Sequence, residues 1–317
     1  MRIQYRVRED GIEVVRCFGT DGEISLPGQI EGLPVRKVAP YAFSARKEKE
    51  DGDVHTFVTE ETFFHGDEVL LAGLAVQSVK FPDTLEQIGN YIFYGCKNLR
   101  RLEFSNRLMQ IGSGAFTGCS GLASLHVSML DGEKTCVKEI LGDLWQRIDV
   151  AFSYADGHTA RFVFPEHYEE AVENTPARIL FTQHHGSGNN YRQCFYNKEL
   201  DCRKYDELFA VARAHDDIEV LSDLIFARLC SPVELTEKAR LAYEDFVREK
   251  QEEILAFLVK TEKLEALETM AERKLWTRQG IEAGIEAAAK GQRAEVLSFL
   301  MNEKHKNFAG EKKKFIL

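Results

Sequence analysis

No stretch of this 317-residue chain approaches the 18 or more consecutive apolar residues of a membrane span. Met1-Arg2-Ile3-Gln4-Tyr5-Arg6 runs into charged residues, with no apolar core of signal-peptide length behind it. Positive charge is also in short supply: 41 Lys and Arg against 51 Asp and Glu leave a net −10. Nucleic acid is therefore a poor candidate for the main ligand, because phosphate contacts need a net basic surface. Only the C-terminal end, with Lys304, Lys306 and Lys312 to Lys314, is locally basic, and it reads as a solvated tail. The cysteines are few and odd in number, seven, which argues against a disulfide framework and for reduced thiols in a cytoplasmic protein.

What is present is a repeat. Ile88-Gly89-Asn90-Tyr91-Ile92-Phe93 returns as Ile111-Gly112-Ser113-Gly114-Ala115-Phe116, and Gly95-Cys96 returns as Gly118-Cys119. Leu99, Leu102 and Phe104 return as Leu122, Leu125 and Val127, each difference being 23 residues. A fixed period between about 20 and 29 with Leu-rich spacing marks a leucine-rich solenoid. One unit cannot bury its apolar face alone, so it stacks on its neighbours and presents a ladder of short strands. Cys96 and Cys119 fall on the side that should be buried, where a small apolar thiol fills the core of a turn.

Around the repeat the organisation changes. Tyr5 to Phe18 alternates about Glu9-Asp10-Gly11, a hairpin signal. Val35, Val38, Ala42 and Phe43 form a degenerate earlier copy, and Val38 to Ile88 and Phe43 to Phe93 are each 50 residues apart. Removing one period of 23 leaves an insertion of 27 residues between Ser44 and Ala75, opening with the polar run from Arg46 to Asp53. Its apolar end, Val69-Leu70-Leu71, should pack back on the solenoid. Cys136, Val137, Ile140, Leu141, Leu144 and Trp145 fit one helical face. Ile148 to Tyr154 and Thr159 to Phe164 read as strands joined at Ala155-Asp156-Gly157-His158, Pro165 to Val172 as a short helix, and Arg178 to Thr182 as a strand. The segment from His184 to Asn190 reads as a polar loop, and Tyr191 to Tyr196 as extended. From about Arg203 onward, apolar residues recur at helical spacing in lengths of about 10 to 14 residues. Leu264-Glu265-Ala266-Leu267 is echoed 30 residues on by Ala294-Glu295-Val296-Leu297, which suits stacked helix pairs.

The expectation is an α+β chain in three parts: a short leucine-rich repeat domain over 1–130 with an N-terminal hairpin and the insertion near 44–75, an α+β linker region over 131–202, and an array of helical hairpins over 203–317. The pattern Leu85-x-x-Ile88-x-x-x-Ile92-Phe93-x-x-Cys96-x-x-Leu99-x-x-Leu102-x-Phe104, with its second copy from Leu108 to Val127, resembles the BspA-type leucine-rich repeat. The lead-in Ile24-Ser25-Leu26-Pro27 and Gly32-Leu33-Pro34-Val35 resembles the N-terminal turn of that family. The resemblance covers roughly residues 20 to 130 and implies a fold without implying a ligand. The founding members are surface adhesins, which makes adhesion one functional alternative. The C-terminal helices weakly resemble degenerate ankyrin pairs without the T-P-L-H signature, and the whole order of parts resembles leucine-rich repeat proteins of anaerobic gut-type bacteria.

Candidate binding residues follow from strand geometry. Leu102, Phe104, Leu125 and Val127 turn inward, so the alternate residues face out. A 23-residue stack places Ser78, Arg101 and Ser124 in one column and Lys80, Glu103 and His126 in the next. This face is the expected docking surface for a protein partner, with neither nucleic acid nor membrane involved. A second candidate is an enzyme site within residues 130–200 around His184, His185 and Cys194. Adjacent histidines do not readily share one ion, Cys194 to Cys202 is not a zinc spacing, and Gly186-Ser187-Gly188 lacks the strand–helix frame of a phosphate loop. No catalytic residue, metal or cofactor is therefore expected. Arg192, with His184 and His185, is the choice for a small polar or anionic group. The paired glutamates Glu169-Glu170 and Glu252-Glu253 read as solvated, and Trp145 and Trp276 as packing anchors.

Overall fold

In a computed structural model of the chain, residues 1–46, 53–59, 68–174 and 179–308 are described. The opening polar run of the insertion lies mostly outside them. The chain divides into two compact units, Met1–Leu208 and Phe209–Leu317.

The first unit begins with the hairpin of β1 (Arg2–Arg8) and β2 (Gly11–Gly19), turning at Glu9-Asp10. β3 (Glu23–Ser25) starts one ladder, and β4 (Gln29–Ile30) folds antiparallel on β5 (Leu33–Val38), which lies parallel to β2. The described parts of the insertion return to the hairpin: β6 (His55–Val58) adds to β1, and β7 (Val69–Leu70) adds to β2. Leu71 is buried, while Val69 and Leu70 keep much of their surface in solvent. Each later turn gives one strand to each of two ladders, β8 (Ser78–Lys80) with β9 (Gln87–Ile88), then β10 (Arg101–Ser105) with β11 (Gln110–Ile111). β12 (Ser124–Met129) continues the first ladder. Val38 pairs with Ile88 and Lys37 with Gln87, the 50-residue register that the degenerate first copy requires.

The period exists because three features of each turn must meet the turn before. Phe43, Phe93 and Phe116 stack with ring centroids 5.3 and 5.5 Å apart, all fully buried. The Cys96 thiol donates to the carbonyl of Phe43, and the Cys119 thiol to that of Phe93, both at 3.2 Å. Gly89 and Gly112 pass so close to the previous turn that a Cβ would lie 2.3 Å from the Pro40 nitrogen or the Gly89 carbonyl carbon. Asn106 closes the last regular turn: its amide donates to the Asp131 and Gly132 carbonyls, and its oxygen accepts from Leu130 and Asp131.

Beyond β12 the sequence period is lost but the ladder continues. After α1 (Val137–Gly142), β13 (Ile148–Tyr154) pairs parallel with β12, Ser124 opposite Asp149, a spacing of 25 rather than 23. The hairpin read as part of a linker thus supplies the last of five parallel strands, giving a β-solenoid of about five turns. β14 (Thr159–Phe164) then folds back antiparallel and ends the sheet. The buried Tyr205 hydroxyl accepts from the Val163 amide at 3.0 Å and donates to its carbonyl at 2.6 Å, occupying the edge that another strand would need.

Two expectations are corrected. The segment after Pro165 is a strand, β15 (Tyr168–Asn174), paired antiparallel with β16 (Ile179–His185). Tyr168 and Val172 are four apart, which suits one face of a helix and one face of a strand alike, and the pairing decides. The expected loop from His184 to Asn190 instead ends β16 and enters a short helix, α2 (Gly188–Arg192), because Tyr191 and Arg192 have buried positions to fill. β17 (Phe195–Tyr196), β18 (Glu199–Leu200) and α3 (Cys202–Glu207) complete the unit.

The second unit is helical: α4 (Phe209–His215), α5 (Ile218–Cys230), α6 (Glu237–Glu249), α7 (Gln251–Lys260), α8 (Leu264–Glu272), α9 (Arg278–Lys290) and α10 (Ala294–Phe308). Asp217, Thr236 and Thr277 cap α5, α6 and α9 through their side-chain oxygens. The 30-residue echo is a repeated turn: Lys263 donates to the Leu258 carbonyl as Arg293 does to Ala288, with positive φ at Glu262 and Gln292. Gln251 joins α7 to the start of α9, donating to the Leu275 carbonyl and accepting from the Thr277 amide and hydroxyl.

Two substitutions test this account. Tyr205→Phe removes both bonds to Val163 and should cost about 1–3 kcal/mol of unfolding free energy, read from a denaturant titration. Gly112→Ala, pressed against the Gly89 backbone, should cost about 1–3 kcal/mol or more. Gly28→Ala, which faces open space, should cost far less. Equal losses at the two glycines would contradict turn-on-turn contact.

Candidate binding face

The six candidate residues lie where the period places them. Arg101 stands opposite Ser78 and Ser124, and Glu103 opposite Lys80 and His126. Their alternates Val79, Leu102, Phe104, Leu125 and Val127 are buried beneath the sheet. The register lengthens both columns in ways the 23-residue period does not reveal. Glu23 and Ser25 of β3 precede Ser78 and Lys80, and Asp149 and Ala151 of β13 follow Ser124 and His126. The signal for β13 was available: Val150 and Phe152 repeat the buried Leu125 and Val127 two residues late.

The face is mixed in charge and partly self-paired. Glu103 accepts from Arg101 at 3.1 Å and lies 3.8 Å from the Lys80 ammonium. Arg147 meets Asp149 in a two-point contact at 2.8 and 2.9 Å. Arg101 and Lys80 remain half or more exposed, so each pair contributes about 0–1 kcal/mol and can be exchanged for a partner's charge at little cost.

The second candidate region is organised differently from its reading. Arg192 is buried, and its guanidinium donates to the carbonyls of Leu141, Leu144, Gln146, Pro165 and Gly188 at 2.6–3.2 Å. Burial lowers its pKa to about 10. This arginine builds the fold and offers no outward face to an anion. His185 stacks on Tyr168, centroids 4.4 Å apart, with its Nε2 3.3 Å from the Glu170 carboxylate. The His184 side chain lies outside what the structure describes. Cys194 is buried with its sulfur 3.9 Å from the Asn190 carbonyl, and burial pushes its thiol up to about 12. Trp276 is buried as expected, whereas Trp145 is 53% exposed and is not a packing anchor.

Among the described residues no group of three His, Cys, Asp or Glu side chains could hold a metal ion. Likewise no described helix is long and apolar enough to cross a membrane. Residues 68–134 match the family model "BspA type Leucine rich repeat region (6 copies)". This segment is similar to BspA-type leucine-rich repeat regions. No curated protein matches the chain. Among solved structures, the chain is similar to a leucine rich cell surface protein of Faecalibacterium prausnitzii, with 18% identity, 41% of this chain and 37% of that one covered, and a TM-score of 0.26. It is also similar to a leucine rich repeat protein of T. pallidum, with 24% identity, 39% and 68% covered, and a TM-score of 0.24. This chain thus spans little more than a third of the first protein's length, and neither likeness carries a function across.

The buried thiols give a direct check on nucleophilic chemistry. Cys17, Cys96 and Cys194 are each pushed up to about 12 by burial, and Cys119 and Cys136 are raised as well. All five should be protonated at pH 8 and inert to a disulfide reagent in the native chain. Cys230, only partly buried, should supply the fast-reacting thiol, and all seven should react once the chain is unfolded in denaturant. Rapid native labelling of Cys194 would restore the enzyme alternative.

Proposed function

We propose that the chain is a non-catalytic scaffold that takes a protein partner on the outward face of its strand ladder, through Ser78, Lys80, Arg101, Glu103, Ser124 and His126. A leucine-rich repeat region suits an interaction or adhesion scaffold, since stacked turns offer extended faces. The observation that carries the reading is the register, which lines up exposed side chains of both charges across five parallel strands. The reduced, cytoplasmic setting belongs to the same proposal and is supported by six thiols engaged in packing.

Size sets the class of complex. Five strands at about 4.8 Å span roughly 20 Å, so two columns offer a few hundred Å², well below the ~800 Å² per partner of a stable interface. A partner held here alone forms a transient, salt-sensitive complex, and a tight one must also use the flanks of the solenoid. The test is co-purification from source-cell lysate at moderate salt, comparing the native chain with Arg101→Ala/Glu103→Ala/His126→Ala. Three surface substitutions should each change stability by no more than about 0.5 kcal/mol. The expected result is a protein retained by the native chain, released as salt rises, and absent from the variant. Equal retention by both chains would remove the strand face from the proposal.

A further inference from the structure

Two aromatic rings of the first unit stand partly uncovered around one hollow. Trp145, in the turn after α1, is 53% exposed, and Tyr168, at the start of β15, is 46% exposed. Together with Glu166, His167 and Glu169 they line a hollow of about 570 Å³, within the usual size of a ligand site. The lining is mainly apolar, and the ionisable groups on its exposed rim are carboxylates.

The hollow is held rigid from below. Arg192 donates to the Leu144 and Gln146 carbonyls on either side of Trp145, and to the Pro165 carbonyl just before Glu166. The His167 amide donates to the Trp145 carbonyl at 2.9 Å, tying the two walls directly. Tyr168 is backed by the His185 ring, nearly parallel at 10°, and His185 is in turn 3.3 Å from Glu170. The backbone around both exposed rings is thus fixed before any ligand arrives, which lowers the ordering cost of binding. Five carbonyls accept from Arg192, but its charge still reaches the lining: burial first, and Arg192 second, hold the His167 imidazole below its ordinary pKa, so the ring is neutral near pH 7 and Glu166 and Glu169 bring the negative charge at the mouth.

We propose that this hollow is a binding site for an organic cation, an alkylammonium or guanidinium group seated against Trp145 and Tyr168 and faced by Glu166 and Glu169. Aromatic faces attract such cations, and carboxylates add Coulombic attraction while disfavouring any anion. The volume admits the charged group with its aliphatic stem, as on a lysine or arginine side chain or a free amine. The site is separate from the strand face, and its test does not depend on that reading.

The chain has two tryptophans, so its NMR spectrum carries two indole N–H signals, and the buried Trp276 serves as an internal reference. Full-length protein is titrated with tetramethylammonium chloride and with Nα-acetyl-lysine amide. Sodium chloride at equal ionic strength, tert-butanol and methyl glucoside are the controls. The expected result is a saturable shift of the Trp145 signal alone, with either cation and with none of the controls. Tyr168→Ala and the pair Glu166→Gln/Glu169→Gln should each weaken it by about 2- to 30-fold, with the dispersed amide signals of the first unit and its denaturant midpoint unchanged as the check on folding. Tighter binding of the lysine amide would indicate a partner's side chain as the source, and tighter binding of tetramethylammonium a free quaternary amine. A shift with glucoside but not with the cations overturns the proposal. So does a response equal to that of sodium chloride, or an affinity unchanged in the glutamine variant.

Discussion

Each turn of the solenoid has to lie flat on the turn before it, and the stacked rings of Phe43, Phe93 and Phe116 show what that contact demands. The rings are buried in one file about 5.4 Å apart, close to the 4.7–4.9 Å between neighbouring strands. A glycine at the Gly89 and Gly112 positions lets backbone pass against backbone, and a thiol at Cys96 and Cys119 reaches back to the previous phenylalanine carbonyl. A residue gained or lost within a regular turn would break all three contacts together. The columns on the outer face exist only because this inner register is enforced.

A stack of strands must also be ended, since an open ladder would template another chain. At the start, the β1–β2 hairpin and β7 lie against the first turn, with Leu71 buried behind them. At the far end the chain reverses into β14, and Tyr205 fills the next position with one hydroxyl that both accepts from and donates to Val163. Phe162, Phe164 and Tyr191 pack around that ring, so the polar cap is delivered from within an apolar cluster. The end of the repeat is therefore built from side chains with no periodicity.

This explains which parts could be read from the sequence. The regular turns were legible because every contact there is a function of the 23-residue spacing, and so were Ser78, Arg101, Ser124, Lys80, Glu103 and His126. Glu23 and Asp149 were not, since an insertion and a two-residue excess displace them from the period while the ladder carries on. Arg192 has the residue type of an anion binder, and only the fold shows five carbonyls already around it. Trp145 has the residue type of a core anchor, and its exposure depends on where Arg192 fixes the carbonyls beside it. In both cases decisive neighbours lie 46 to 51 residues away, at spacings no local pattern marks.

The two surfaces then differ in what they can contribute to binding. On the strand face the charges are exposed and already paired within the ladder, so exchanging them for a partner's charges gains little free energy. What the proposed face offers is arrangement, with charges of both signs at fixed strand spacing. The hollow offers the reverse. Two large rings, each with 150–250 Å² of surface in this class of side chain, stand partly uncovered, and covering them releases water. Both proposed surfaces belong to one compact unit, the first on the repeat and the second at its non-repeating end. The Arg192 clamp at that non-repeating end is what sets the second surface in place.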